Sequence, residues 1–166
     1  MNDGTVVQVS LGPGGLPNQP VAEATLTKTG LEGDRFRYTN LHGLPDQAVL
    51  VITCEGLDEL KKEGYPLFCG ALGENLTIRG IGRHGLQPGQ RWRVGSEVII
   101  EITKRRSPCR TIDVYGSTLR ERIFDDQVKK NDTSSPRWGL SGVYARVIQG
   151  GTLRPGDPVL FAEQDV

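Results

Sequence analysis

The chain is short of the residue patterns that most readily name a function. It carries one Met, two His and 6% aromatic residues, and its 20 Lys and Arg balance 20 Asp and Glu to a formal net charge of zero. A protein whose main task is to coat nucleic acid needs a surplus of cations, so that class is excluded. The longest uninterrupted apolar run, Ala48 to Ile52, is five residues, against the roughly 20 a membrane-spanning helix needs. The start, MNDGTVVQVS, has no basic segment followed by an apolar one, so no secretory leader is read and the expected location is cytoplasmic. The three cysteines form no CxxC pair, and the two histidines, His42 and His84, do not complete a structural zinc set. Phosphate-loop, GxGxxG, HExxH and GxSxG motifs are absent, which removes NTPase, dinucleotide-dehydrogenase, zinc-protease and serine-hydrolase chemistry.

Glycine and proline, by contrast, are plentiful at 22 and 10 of 166 residues. Without collagen period or low-complexity runs, that composition describes a turn-rich globule. Segments rich in β-branched residues recur at 5–10, 21–29, 47–53, 75–79, 91–94, 97–103, 142–149 and 158–162 and predict seven or eight strands. The run 47–53 is continuous enough to be buried on both faces. Helices are predicted over 55–62, capped by Thr53, and over 118–130, where Thr118 and Glu121 suggest a capping box. The pattern Leu-x-Pro-Gly occurs before two of the strands, at 86–89 and 153–156, and reads as two similarly built strand entries into one barrel-like sheet. The fold class expected is mostly β, a twisted barrel-like sheet with a few short helices, in a single domain over 1–166 with its core at about 5–162.

The segment Lys104-Arg105-Arg106-Ser107-Pro108-Cys109-Arg110 surrounds one cysteine with four cations. A thiol with an ordinary pKa of about 8.5 is mostly protonated at neutral pH, and neighbouring cations favour its nucleophilic, metal-binding thiolate. The same cations suit a phosphate group, and a solvated basic turn with an incidental cysteine is the plainer alternative. Cys54 and Cys69 follow apolar residues and read as small buried hydrophobes. Glu74, Asn75 and Thr77 stand at a strand entry after Gly73, aimed either into a pocket or merely around a turn. His42 suits either an acid/base role with Asp34 or Asp46, or a loop-organising one. Arg137 could reach an anion with Trp138 covering the site, or the pair could be a surface Arg beside a core Trp.

The ordered set Gly30-Leu31-Glu32-Gly33-Asp34-Arg35-Phe36, His42-Gly43-Leu44-Pro45-Asp46-Gln47-Ala48-Val49, Gly73-Glu74-Asn75-Leu76-Thr77, Ser107-Pro108-Cys109, Gly142 to Val147 and Gly156-Asp157-Pro158-Val159 resembles the MOSC domain. That module is named for the carboxy-terminal domain of eukaryotic molybdenum cofactor sulfurase, and the stand-alone bacterial type is the nearest likeness. The resemblance implies a β-barrel fold and a molybdopterin-type molybdenum cofactor. It puts the shared family cysteine on Cys109, as molybdenum ligand or persulfide carrier. Arg105, Arg106, Arg110, Glu74, Asn75, Thr77, Arg137, Tyr144 and His42 would then shape the cofactor pocket. Some members reduce N-hydroxylated small molecules, which calls for an electron-transfer protein, whereas sulfur carriage calls for a cysteine desulfurase whose pyridoxal phosphate belongs to that separate partner. A binding or delivery module without turnover is the rival reading. The chain departs from the family pattern at Leu44, Gln47 and Asn18, where Gly, Arg and Lys are usual.

Overall fold

The computed structural model describes residues 3–35 and 44–163. Its strands in chain order are β1 (Gly4–Leu11), β2 (Gln19–Val21), β3 (Ala24–Thr27), β4 (Gly30–Leu31), β5 (Val49–Thr53), β6 (Leu76–Arg79), β7 (Arg91–Val94), β8 (Val98–Arg105), β9 (Val143–Gln149), β10 (Gly151–Leu153) and β11 (Pro158–Ala162). Helix α1 (Cys54–Lys62) follows β5, and α2 (Leu119–Ile123) and α3 (Asp126–Lys129) lie between β8 and β9. The main sheet runs β11-β7-β8-β9-β5-β6-β1, and a further pairing of β1 with β11 closes it into a seven-stranded barrel. Closure removes the open edges that an antiparallel sheet would otherwise present to other chains. Strand β2 is appended beside β1, an edge position where Pro20, lacking an N–H, costs no ladder bond.

Burial follows the strand period. Val98, Ile100 and Ile102 of β8 join Val49, Val51, Val143, Ala145 and Val159 in one apolar cluster, the alternation a barrel interior demands. Every residue of β5 is buried because its other face also has a cover: Ile52 belongs to a second cluster with Leu57 and Leu60 of α1 and Leu119 and Ile123 of α2. Helix α1 sits in the crossover between β5 and β6, the two strands paired in parallel. Thr53 caps it, its hydroxyl accepting from the Gly56 amide at 3.1 Å.

The two Leu-x-Pro-Gly turns feed β7 and β11, which are direct antiparallel neighbours. Gly89 and Gly156 have φ of 90° and 92°, the left-handed region that favours glycine. Two elements differ from the sequence-based expectation. The predicted strand 21–29 is divided between β2 on the barrel and β3, which pairs with β10 and β4 in a small separate sheet. The predicted helix 118–130 breaks at Phe124, whose backbone is extended, because Asp125 caps a new helix by accepting from the Val128 amide at 2.7 Å. Thr118 makes no capping bond, since its hydroxyl pairs with the Tyr65 hydroxyl at 2.7 Å. No helix of the described residues is long and apolar enough to cross a membrane.

Candidate functional site

A cleft opens where the loops after β1 and β4 meet the loop before β6 and the segment that leaves β8. Asp34, Asn75, Arg106, Cys109, Thr111 and Tyr144 are among its lining residues. The segment after β8 is built around Arg106, only 6% exposed. Its guanidinium donates to the Leu72 carbonyl at 2.8 Å and the Ser141 carbonyl at 3.2 Å, and its own carbonyl accepts from the Ser141 hydroxyl at 2.8 Å. The chain then turns through Pro108 and presents Cys109 to solvent. Ile112, fully buried, anchors the 3-10 turn Arg110–Tyr115 that follows.

Partial burial pushes the Cys109 thiol up, but the hydroxyl and amide of Thr111 and the charge of Arg106 outweigh it and hold the thiol below its ordinary range. The Thr111 hydroxyl lies 2.8 Å from Sγ. Of the four cations read in the sequence, Arg106 is the one named in this balance. Lys104 is turned to Asp46 at 3.3 Å, Arg110 is exposed, and the Arg105 Nε is buried with no hydrogen-bond partner among the described residues.

The opposite wall is a braced turn. Asn75 accepts from the Leu50 amide at 3.1 Å and donates to the Ser10 carbonyl at 3.3 Å and to Asp34 Oδ2 at 2.9 Å. Both of its amide hydrogens are therefore engaged within the protein. Asp34 also accepts from the Gly12 amide, yet burial dominates these bonds and keeps its carboxyl above the ordinary range. Glu74 and Thr77 line nothing: both are fully buried. Glu74 gathers the turn by accepting from the amides of Gly70 and Leu72 and the hydroxyl of Thr77 at 3.0 to 3.2 Å. Their place is under the cleft, as positioning groups and not as direct contacts. Asn18 holds the same turn by donating to the carbonyls of Gly73 and Glu74.

Glu74→Gln tests this bracing. An amide presents one acceptor and an NH2 where three donors converge, so a loss of about 1–3 kcal/mol is expected, read by urea unfolding. Unchanged stability would mean that the turn holds without the carboxylate.

Cys109, Arg106, Asn75 and Tyr144 are thus brought together, whereas Arg105, Arg110 and Arg137 are not among the lining residues. Trp138 does not cover the site: it is fully buried and its indole N–H donates to the Leu86 carbonyl at 2.8 Å. His42 lies outside the described residues. Sequence reasoning missed Thr111, whose signal is its place two residues beyond Cys109, and gave Asp34 no role apart from His42.

The MOSC domain family model matches residues 38–160. The chain belongs to the MOSC domain family. YflK of Bacillus subtilis is 28% identical over 145 residues, 86% of this chain and 60% of that protein. A protein of Gibberella moniliformis named Reductase is 26% identical over 140 residues, 82% of this MOSC chain and 23% of its relative. The chain therefore spans 60% or less of the length of these curated relatives. The crystal structure of YiiM from Geobacillus stearothermophilus superposes with a TM-score of 0.70 at 22% identity, covering 98% of this chain and 77% of that one, which establishes the MOSC fold.

Proposed function

We propose that the cleft binds a molybdopterin-type molybdenum cofactor, with the Cys109 sulfur facing the metal, and that the loaded protein reduces N-hydroxylated compounds. The observation that carries this reading is one thiol at the cleft wall, 2.8 Å from the Thr111 hydroxyl, in a lining that includes the buried Arg106 guanidinium. Among the described residues no three His, Cys, Asp or Glu side chains converge. A metal at Cys109 would find one protein ligand there, which suits a metal that arrives with its other ligands attached. The guanidinium of Arg35 at the lining suits the cofactor's phosphate. The fungal relative's name supports reduction as the reaction type.

The bound cofactor would supply two-electron exchange. The overall change converts R2N–OH, two electrons and two protons to R2NH and water, the electrons coming from a separate electron-transfer protein. For this, Arg106 and Thr111 favour the thiolate of Cys109, and the Thr111 hydroxyl fixes the direction of Sγ. The Asp34 carboxyl, its pKa raised by burial, lines the cleft as the candidate proton donor.

The test is elemental analysis for molybdenum, with fluorescence of released pterin, on protein from a cofactor-competent host, wild type beside Cys109→Ala. Near-stoichiometric molybdenum in the wild type and its loss from the variant are expected. No molybdenum or pterin in either overturns the proposal and directs attention to a persulfide on Cys109, read by intact mass. Cofactor bound without turnover of N-hydroxylated substrates would favour a delivery module.

A further inference from the structure

The cleft has two kinds of lining, and much of the polar kind is already engaged by the fold. Asn75 has both amide hydrogens committed, Asn18 donates to the carbonyls of Gly73 and Glu74, and the Arg106 guanidinium holds the carbonyls of Leu72 and Ser141. A polar ligand group set against these side chains would give up water without gaining a free donor, which is unfavourable. Leu16, Leu50 and Leu72 line the same cleft and favour apolar ligand surface.

Of the three, Leu16 is the one a ligand reaches first. Leu50 and Leu72 are 3% and 0% exposed, whereas Leu16 is only partly buried and packs against the cluster that contains Leu72. It lies close over the turn before β6: a Cβ at Gly73, where φ is 85°, would meet the Leu16 Cδ2 at 3.0 Å. The segment that carries Leu16, between β1 and β2, is pinned at both ends. The Gly12 amide donates to Asp34 at 2.6 Å and its carbonyl accepts from the Arg35 amide at 3.0 Å, while the Asn18 amide donates to the Gly70 carbonyl at 2.9 Å. Between these pins, Gly15 and Leu16 make no hydrogen bond with the other described residues. Gly15 also lines the cleft, and a Cβ built on it would meet nothing within 4 Å. Leu16 is therefore held at the cleft by packing alone, next to open space, and an apolar ligand group extends that packing.

We propose that Leu16 is a specificity-determining residue of the cleft, selecting substrates that carry an aromatic or aliphatic group beside the reacting N–O bond. The inference rests on the reduction of N-hydroxylated compounds proposed above, with the reacting end toward Cys109 and the apolar end against Leu16. Small polar hydroxylamines, which leave Leu16 uncovered, are the poorer substrates.

Because Cys109 and Leu16 line one cleft, the sulfur reports on this subsite without any cofactor. Iodoacetamide and its N-phenyl counterpart react alike: the thiolate displaces iodide and an S–C bond forms. Their rates at Cys109 in the folded chain, read by peptide mapping, are compared with their rates toward glutathione. The N-phenyl reagent is expected to be favoured roughly tenfold beyond its glutathione ratio, the scale of discrimination that an apolar pocket supplies. Leu16→Met should keep that preference, Leu16→Ala reduce it and Leu16→Asp abolish it. Circular dichroism checks that each variant is folded, and Leu16→Ala decides if the Asp variant is not. In the loaded protein, Leu16→Ala should raise KM for N-hydroxybenzamide and leave that for N-hydroxyacetamide unchanged. No preference in the wild type, or one that survives the loss of the leucine side chain, would overturn the proposal. A Leu16-dependent preference in a chain that turns over no N-hydroxylated compound would support the apolar subsite while overturning the reduction reading.

Discussion

An Arg106→Ala chain is expected to lose about 2–4 kcal/mol of stability and to alkylate Cys109 more slowly at neutral pH. The stability loss arises because the guanidinium, almost wholly buried, satisfies the carbonyls of Leu72 and Ser141. Truncation leaves both without a partner inside the protein and opens a void beside them. The kinetic effect has a definite sign. Arg106 lowers the Cys109 pKa, so its removal raises that pKa and moves the alkylation profile to higher pH. Urea unfolding and the rate of iodoacetamide labelling between pH 6 and 9 read the two effects separately (the pH span about that of an ordinary thiol titration). A stable variant with an unmoved profile would show that Arg106 neither clamps the cleft nor tunes the sulfur.

Trp138→Ala is expected to cost about 3–5 kcal/mol, out of a total that for ordinary domains is about 5–15 kcal/mol. Trp138 is among the largest side chains with no exposure at all. Its indole N–H donates to the carbonyl of Leu86, the first residue of the Leu-x-Pro-Gly turn into β7. Loss of the ring would therefore vacate the barrel cluster and release a strand entry together. Trp138→Phe keeps most of the volume and leaves one buried carbonyl unpaired, for a smaller expected loss of about 1–3 kcal/mol. Urea unfolding followed by circular dichroism ranks the three chains, and an alanine variant as stable as the phenylalanine one would contradict the packing account.

The barrel was legible because its causes are local. Alternating and continuous β-branched runs marked most of its strands, and the repeated Pro-Gly turn marked two neighbouring entries. The capped start of α1 was legible for the same reason, Thr53 meeting a good helical run. The break at Phe124 was not, because the caps compete: Asp125 offers a carboxylate to the Val128 amide while Thr118 is taken by Tyr65 from a distant segment. In the site, composition pointed to Cys109 but overcounted its cations. Adjacent residues on a strand and turn face different ways, so of the run 104–106 only Arg106 acts on the sulfur.

The pairing of β1 with β11 has a consequence for the order of the chain itself. Gly4 stands opposite Val159 and Thr5 opposite Pro158, so the two outermost strands of the barrel are neighbours in space. Around the barrel the strands form a ring, and a ring has no first member. The natural sequence is one of several cuts through the same circle. A short connector across that seam would let the polypeptide be opened elsewhere, at the Gly80–Gly85 turn for instance, where the glycines mark a connection and not a layer of the core. Such a rearranged chain would carry every strand neighbour it has now, with the cysteine of the cleft encoded near the start of a different reading order.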